Sequence, residues 1–98
     1  MNVRVIKSKR YVVAVCDSEL IGKTFEEGKF QLEVKASFFS GKEMNEEETI
    51  SVMEKMMDED ATFNIVGKNS VEAALKAGII DEDSVKEVQG IPFVLKLL

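Results

Sequence analysis

The sequence predicts an α+β fold, in which a mostly antiparallel sheet of about five or six short strands is packed by two main helices. We expect one domain over residues 1–98, because 45% hydrophobic and 32% charged side chains are typical of a small globular domain. Several short segments are rich in β-branched residues and alternate apolar with polar side chains, as strands do. Two longer segments carry apolar residues at helical spacing and begin at a good N-cap residue.

The N-terminal part of the chain predicts a β-hairpin. Residues 3–7 and 11–16 are rich in valine, and each is too short to form a buried helix. The polar residues 8–10 between them predict a short turn. Asp17 or Ser18 is then expected to cap one turn of helix, because aspartate and serine are favoured at helix starts.

A further strand is predicted at residues 30–34, where apolar side chains alternate with polar ones. This alternation is typical of a strand with one face in water. We expect Phe38 and Phe39 to extend this strand or to lie on a short strand that follows it. A turn at residues 40–42 then leads towards the first long helix.

The strongest helix prediction covers residues 45–58. Asn45 is a good N-cap, and Glu48 follows three residues later, as in a capping box. The glutamates at 46–48 place negative charge where the helix dipole favours it. One face of this helix is apolar and consists of Ile50, Met53, Met56 and Met57.

A second helix is predicted at residues 69–77, after a short strand at 63–66. Asn69 is its expected N-cap, with a glutamate three residues later, and Gly78 is its expected left-handed stop. The last part of the chain predicts two more strands, at 85–88 and 92–97.

The composition excludes several functional classes. The chain has no histidine, which removes the usual general acid–base group near neutral pH and a common metal ligand. A single cysteine, Cys16, excludes an intrachain disulfide and fits a reducing compartment. No apolar run approaches the roughly 20 residues of a membrane-spanning helix, and no signal peptide is recognisable. We therefore expect a cytoplasmic protein with no membrane partner, no cofactor and no metal, and binding is favoured over catalysis.

Gly67, Lys68 and Asn69 form a candidate site for a phosphate-type anion. They lie between a predicted strand and the start of the second predicted helix. Free amides and the helix dipole attract anions at such a position, and Lys68 adds positive charge. The alternative is that Asn69 satisfies those amides itself and that Lys68 is simply exposed.

Arg4, Lys7, Lys9, Arg10 and Tyr11 form a candidate nucleic-acid surface on the predicted hairpin. These four basic side chains occur without any acidic one before Asp17, although the net charge of the chain is −5. Lysine and arginine contact phosphates, and an exposed tyrosine stacks on bases. The alternative is an edge hairpin whose charges prevent aggregation.

Several short stretches are informative through their order and spacing along the chain. They contain Cys16, Asp17, Gly22, Phe25, Gly28, Asn64, Gly67, Gly90 and Pro92. With these positions the sequence resembles, over nearly its whole length, an archaeal family known as domain of unknown function 424. Phe93 departs from the family pattern, which usually has a histidine after the proline, so a role of that histidine does not carry over. The resemblance implies an archaeal cytosolic protein associated with translation or RNA, and it implies no established activity.

The function that these observations favour is a non-catalytic binding module associated with translation or RNA, with a ribosomal partner as one form of that association. Two alternatives stay open at this point. One is a protein–protein adaptor or homodimer that uses the methionine-rich first helix and the apolar C-terminal run. The other is a binder of a small phosphate-type anion at residues 67–69.

Overall fold

The computed structural model describes residues 1–97, in which six strands form one sheet and two more form a separate hairpin. The strands are β1 (Asn2–Lys7), β2 (Tyr11–Cys16), β3 (Thr24–Glu27), β4 (Phe30–Glu33), β5 (Lys42–Glu43), β6 (Thr62–Val66), β7 (Lys86–Val88) and β8 (Ile91–Lys96). The helices are α1 (Ala36–Phe39), α2 (Glu46–Asp58) and α3 (Lys68–Ala77), and short 3-10 turns cover Ser18–Leu20 and Glu82–Ser84. Among the helices of this described part, none combines the length and apolar character needed to cross a membrane.

The six-stranded sheet has the order β5-β1-β2-β6-β8-β7. Its neighbouring strands run antiparallel, except β2 and β6, which are parallel. The predicted fold class is therefore confirmed: the fold is α+β, with a mostly antiparallel sheet and two main helices. The predicted N-terminal hairpin is confirmed as well, and Lys7 lies opposite Tyr11 at its closed end.

The two long helices, α2 and α3, cover one face of this sheet. Side chains alternate between the two faces of a strand. Val13 and Val15 of β2 therefore pack against the helices, whereas Ala14 and Cys16 pack on the other face. The core on the helix side includes Val3, Val13, Val15, Met53, Met56, Phe63, Ile65, Val71, Ala74 and Val94.

A second, smaller layer covers part of the opposite face. It consists of the β3–β4 hairpin, the 3-10 turn Ser18–Leu20 and the short helix α1. Its core contains Leu20, Val34 and Phe39 against Ala14, Cys16 and Val66 of the sheet. The sequence did not predict β3, because Thr24–Glu27 is mostly polar and has one apolar side chain, Phe25, to pack.

The prediction that Phe38 and Phe39 lie on a strand is wrong, because both belong to α1. Phe39 is buried and Phe38 is half-buried, and their rings meet edge to face with centroids 5.1 Å apart. Consecutive residues of a strand point to opposite faces, whereas a helix separates them by about 100°. The helical turn therefore lets both rings pack on the side of the sheet.

The helix starts agree with the sequence in one case and differ in the other. The predicted capping box of α2 is confirmed: the Glu48 main-chain N–H donates to the Asn45 side chain at 2.8 Å, and the Asn45 N–H donates to the Glu48 side chain at 3.1 Å. The predicted cap of α3 is wrong, because Gly67 is the N-cap and Asn69 is already the second helical residue. Gly78 ends α3 in the left-handed conformation, as predicted, with a φ of 74°.

Replacing Asn45 with alanine is expected to lower the free energy of unfolding by about 1 kcal/mol, because the Glu48 N–H loses its acceptor. The matched variant is Asn69→Ala, whose side chain is exposed within α3. It is expected to change that free energy by less than about 0.5 kcal/mol. Urea denaturation of both variants measures the difference, and equal losses would contradict the assignment of the two helix starts.

Candidate functional site

Asp17 is a buried acidic residue that directly follows β2. Its Oδ1 accepts hydrogen bonds from the main-chain N–H and the hydroxyl of Ser70, both at 2.8 Å, and its Oδ2 accepts one from the Asn69 N–H at 3.1 Å. A helix N-terminus offers free amides and partial positive charge, so a carboxylate is stabilised there without a cation. Asp17 is the N-cap residue of the 3-10 turn Ser18–Leu20, as predicted, but its side chain caps α3 instead of that turn.

Gly67 allows Asp17 to approach the start of α3. Its φ is 109°, and a Cβ at this position would lie 2.4 Å from Asp17 Cγ. Main-chain bonds hold the same region: the Asp17 N–H donates to the Val66 carbonyl at 3.0 Å, and the Gly67 N–H donates to the Pro92 carbonyl at 2.8 Å. The ends of β2 and β6 and the start of β8 therefore meet at one point, which we call the Asp17 junction.

The predicted anion site, Gly67, Lys68 and Asn69, lies at the Asp17 junction. The side chains of Lys68 and Asn69 are exposed, whereas Gly67 is buried. The amides of Asn69 and Ser70 already donate to Asp17. An external phosphate would therefore have to compete with a carboxylate that is part of the fold, and anion binding at these residues stays a prediction.

Cys16, next to the Asp17 junction, is fully buried. Burial, with a further contribution from the negative charge of Asp17, raises the pKa of its thiol from 9.0 to about 11. The thiolate, which is the reactive form of cysteine, is therefore scarce at neutral pH. Cys16 packs as a small apolar residue between the sheet and the second layer.

Four further motif positions lie in the second layer and in the turns beside it. Gly22, Gly28 and Gly90 occupy turns with positive φ, and Phe25 packs half-buried in the second layer. Gly28 lies in the turn of the β3–β4 hairpin, and Gly90 lies in the turn of the β7–β8 hairpin. A hydrogen bond joins these two hairpins, because the Gln89 N–H donates to the Glu27 side chain at 2.7 Å. Gly22, Phe25 and Gly28 therefore shape the second layer, and Gly90 lies in the turn of the sheet that contacts it.

An open groove of about 280 Å³ lies on the sheet face beside the second layer, between α1, β4 and the strands β6 and β8. Its walls are mainly apolar, and Asn64 contributes a polar side chain. Asn64, a family-motif position, lies in the middle of β6 between Ala14 and Leu95 of the neighbouring strands. Its side chain is half-exposed, and within residues 1–97 it forms no side-chain hydrogen bond. The apolar lining includes Leu32, Phe38, Phe39, Val66, Phe93 and Leu95.

The five predicted nucleic-acid residues are divided between the two faces and the tip of the hairpin. Lys9 and Arg10 are exposed at the turn. The Lys7 ammonium lies 5.3 Å from the ring centre of Tyr11, and that ring packs half-buried against the helix-side core. Arg4 lies on the opposite face, where its guanidinium donates to the Ser37 carbonyl of α1. We call the three exposed basic residues, Lys7, Lys9 and Arg10, the hairpin cluster.

Comparison with known proteins places the chain in one family. Residues 6–96 match the family described as protein of unknown function DUF424. The chain belongs to this family. The predicted resemblance is therefore confirmed over nearly the full length. No curated protein matches the chain.

The fold of this DUF424 chain is also found in a solved structure. It is similar to the crystal structure of an uncharacterized conserved protein from Methanopyrus kandleri, with a TM-score of 0.82 and 23% sequence identity. The match covers 96% of this chain and 87% of that chain. At this level of identity the likeness shows the fold alone.

Sequence reasoning missed Ser70 and the groove residues Phe38 and Leu95 as parts of a site. The contact of Ser70 with Asp17 spans 53 residues, which no local pattern can reveal. The available signal was an aspartate directly after an apolar strand. The groove depends on where the second layer stops on the sheet, and the hydrophobic periodicity of a strand does not contain that information.

Replacing Asp17 with alanine is expected to lower the free energy of unfolding by about 2–4 kcal/mol, because two amides and a hydroxyl at the start of α3 lose their charged acceptor. Asp81→Ala is the matched control, since Asp81 is an exposed aspartate that caps a 3-10 turn through the Ser84 N–H. Its loss is expected to be about 0.5–1 kcal/mol. Urea denaturation compares the two variants. Similar losses would show that the Asp17 junction contributes no more to the free energy of unfolding than an exposed cap does.

The thiol of Cys16 is expected to react slowly with a maleimide in the folded protein. At pH 8 the raised pKa lowers the thiolate fraction about a hundredfold relative to an exposed thiol. The folded protein is expected to react more slowly than the urea-unfolded chain at every pH tested, because burial raises the thiol pKa and shields the sulfur atom from the reagent. Labelling followed by mass spectrometry measures both profiles, and identical profiles would contradict the burial of this thiol.

Proposed function

We propose that the protein is a non-catalytic module that binds RNA through its N-terminal hairpin and is associated with translation. The observation that supports this most directly is the hairpin cluster, whose three basic side chains are exposed and belong to a segment without acidic residues. Lysine and arginine attract phosphates irrespective of the base sequence. The association with translation derives from the family resemblance.

The distribution of charge favours one side of the hairpin. The parallel register of Val12 with Thr62 places the acidic residues 58–60 beside the hairpin on the β6 side. On the other side, Arg4 of β1 and Lys42 of β5 are basic, and Glu43 beside Lys42 is paired with the N-terminal ammonium. None of the salt bridges within residues 1–97 involves the hairpin cluster. RNA is therefore expected to approach from the β1 side.

The chemistry of the site supports binding rather than catalysis. The chain has no histidine, and the thiol of Cys16 has a pKa raised to about 11 by burial. General acid–base catalysis at neutral pH and attack by a thiolate therefore lack their usual groups. The buried carboxylate of Asp17 is occupied by the amides of α3.

The double variant Lys9→Ala/Arg10→Ala is expected to weaken RNA binding and to reduce the salt slope of the logarithm of the association constant by about 1 to 2. Both side chains are exposed in a turn, so the fold is expected to stay intact. Fluorescence anisotropy with a labelled RNA between about 50 and 200 mM salt measures the slope. The matched control is Lys23→Ala/Lys29→Ala, which removes the same charge from exposed positions outside the N-terminal hairpin.

Equal affinity of these two double variants for RNA would contradict the hairpin as the contact. Sedimentation of the tagged protein in a lysate of its own host tests the association with translation separately. Migration with ribosomal subunits at low salt, and release at high salt or in the hairpin variant, would support it. A protein that stays at the top of the gradient at every salt concentration would contradict it.

A protein–protein adaptor or homodimer is a second candidate, which two exposed apolar side chains favour. Leu95 of β8 and Leu97 just after it are 57% and 66% exposed. The methionines of α2 give less support, since Met53 and Met56 are buried in the core. This candidate places the contact on the C-terminal strand, whereas RNA binding places it on the hairpin.

A further inference from the structure

We infer that the RNA bound by this protein is single-stranded, and that one unpaired base, adenine by preference, enters the groove between α1 and the strands β6 and β8, where Asn64 recognises its edge. The inference rests on the proposed function and names the class of RNA for the same region of the molecule. It joins the groove to Lys9 and Arg10 at the tip of the N-terminal hairpin in one binding surface.

The groove has the size and the walls of a site for a single base. Its volume of about 280 Å³ lies just below the roughly 300–1,000 Å³ of pockets for drug-sized ligands. Two half-buried aromatic side chains line it, Phe38 from α1 and Phe93 from β8. Aromatic side chains are the usual stacking partners of unpaired bases.

The side chain of Asn64 is suited to the edge of an unpaired base. The carboxamide of Asn64 offers one donor group and one acceptor, and it pairs with adenine through two hydrogen bonds in protein–nucleic acid complexes. Adenine is further favoured over uracil because its larger ring system offers more surface for stacking on the aromatic walls.

Arg4 lies on the groove face of the N-terminal hairpin, whose tip carries Lys9 and Arg10. The registers of Arg4 with Ala14 and of Ala14 with Asn64 place Arg4 and Asn64 in one row on the same face of the sheet. Neighbouring strands are about 4.8 Å apart, so the two residues are separated by about 10 Å. The guanidinium donates to the Ser37 carbonyl of α1 and keeps further N–H groups for a phosphate. A base in the groove therefore has a positive charge within reach of its own backbone.

This arrangement selects a single strand over a duplex or an apolar peptide. The bases of an A-form duplex are paired, and its major groove is too deep and narrow for side chains to read. A base enters a recess beside α1 only after leaving its stack. An apolar peptide side chain would fill the groove but would cover Asn64 without pairing its amide, which is unfavourable.

Fluorescence anisotropy of the full chain with short labelled oligonucleotides tests the inference. The probes are oligoadenylate, the same strand with abasic sites, oligouridylate and a blunt duplex. The protein is expected to bind oligoadenylate at least about tenfold more tightly than the other three. Asn64→Leu, which keeps the volume of the side chain, is expected to weaken that binding about 5- to 100-fold and to leave the salt slope unchanged.

Thr62→Val is the matched control, because Thr62 lies two residues earlier on the same strand and face and does not line the groove. It is expected to bind oligoadenylate like the wild type. Equal affinity for the intact and abasic strands, or wild-type affinity of Asn64→Leu, would overturn the base site. If Lys9→Ala/Arg10→Ala still weakens binding in that case, the proposed function stands without it.

Two further outcomes would also overturn the inference. If no probe binds at low salt, the proposed function is wrong, and the base site that rests on it is wrong as well. If sedimentation velocity shows a dimer that Leu95→Ser or Asn64→Leu abolishes, a second copy of the chain occupies the groove, and a base does not.

Discussion

The carboxylate of Asp17 lies out of contact with water and accepts three hydrogen bonds from the start of α3. Burying a charge is costly unless fixed donors replace its water, and here two amides, a hydroxyl and the helix dipole do so. The contact joins the end of β2 to the helix that follows β6, and so it fixes the two central strands in register. Because both faces of the sheet are built on these strands, each layer depends on this one contact. The contact requires a glycine at position 67, since a side chain there would collide with Asp17.

The elements that the sequence predicted correctly are those whose cause is local. The hairpin of residues 3–16, the capping box at Asn45 and the left-handed end at Gly78 each follow from residues that are close together in the sequence. Asn69 looked like an N-cap by the same local logic, but Asp17, which directly follows β2, accepts a hydrogen bond from its amide and makes a second cap unnecessary. The helical state of Phe38 and Phe39 has a similar cause, because both rings are held by the sheet beneath them.

The candidate site was predicted in part, for the same reason. The charges of the hairpin cluster are visible in the sequence, because the charge of a side chain follows from its residue type alone. Asn64 was visible as a motif position, but its half-exposed place in an apolar groove depends on how far the second layer extends over the sheet. That layer is narrower than the sheet it covers. The open surface is therefore a result of the mismatch between a six-stranded sheet and a cover of one hairpin and one helical turn.

The parallel pairing of β2 with β6 has a consequence for the order in which the molecule assembles. The β1–β2 and β7–β8 hairpins join neighbours in the chain and need only short loops to close. The pairing of Cys16 with Val66, by contrast, encloses the entire second layer and α2 within one long loop. Contacts between distant residues slow folding, so the pairing of β2 with β6 at the centre of the sheet is expected to form last, after the two hairpins have formed. During synthesis β6 emerges from the ribosome after the N-terminal hairpin. Until then β2 is an unpaired edge strand, and it carries four apolar side chains that are buried in the folded protein.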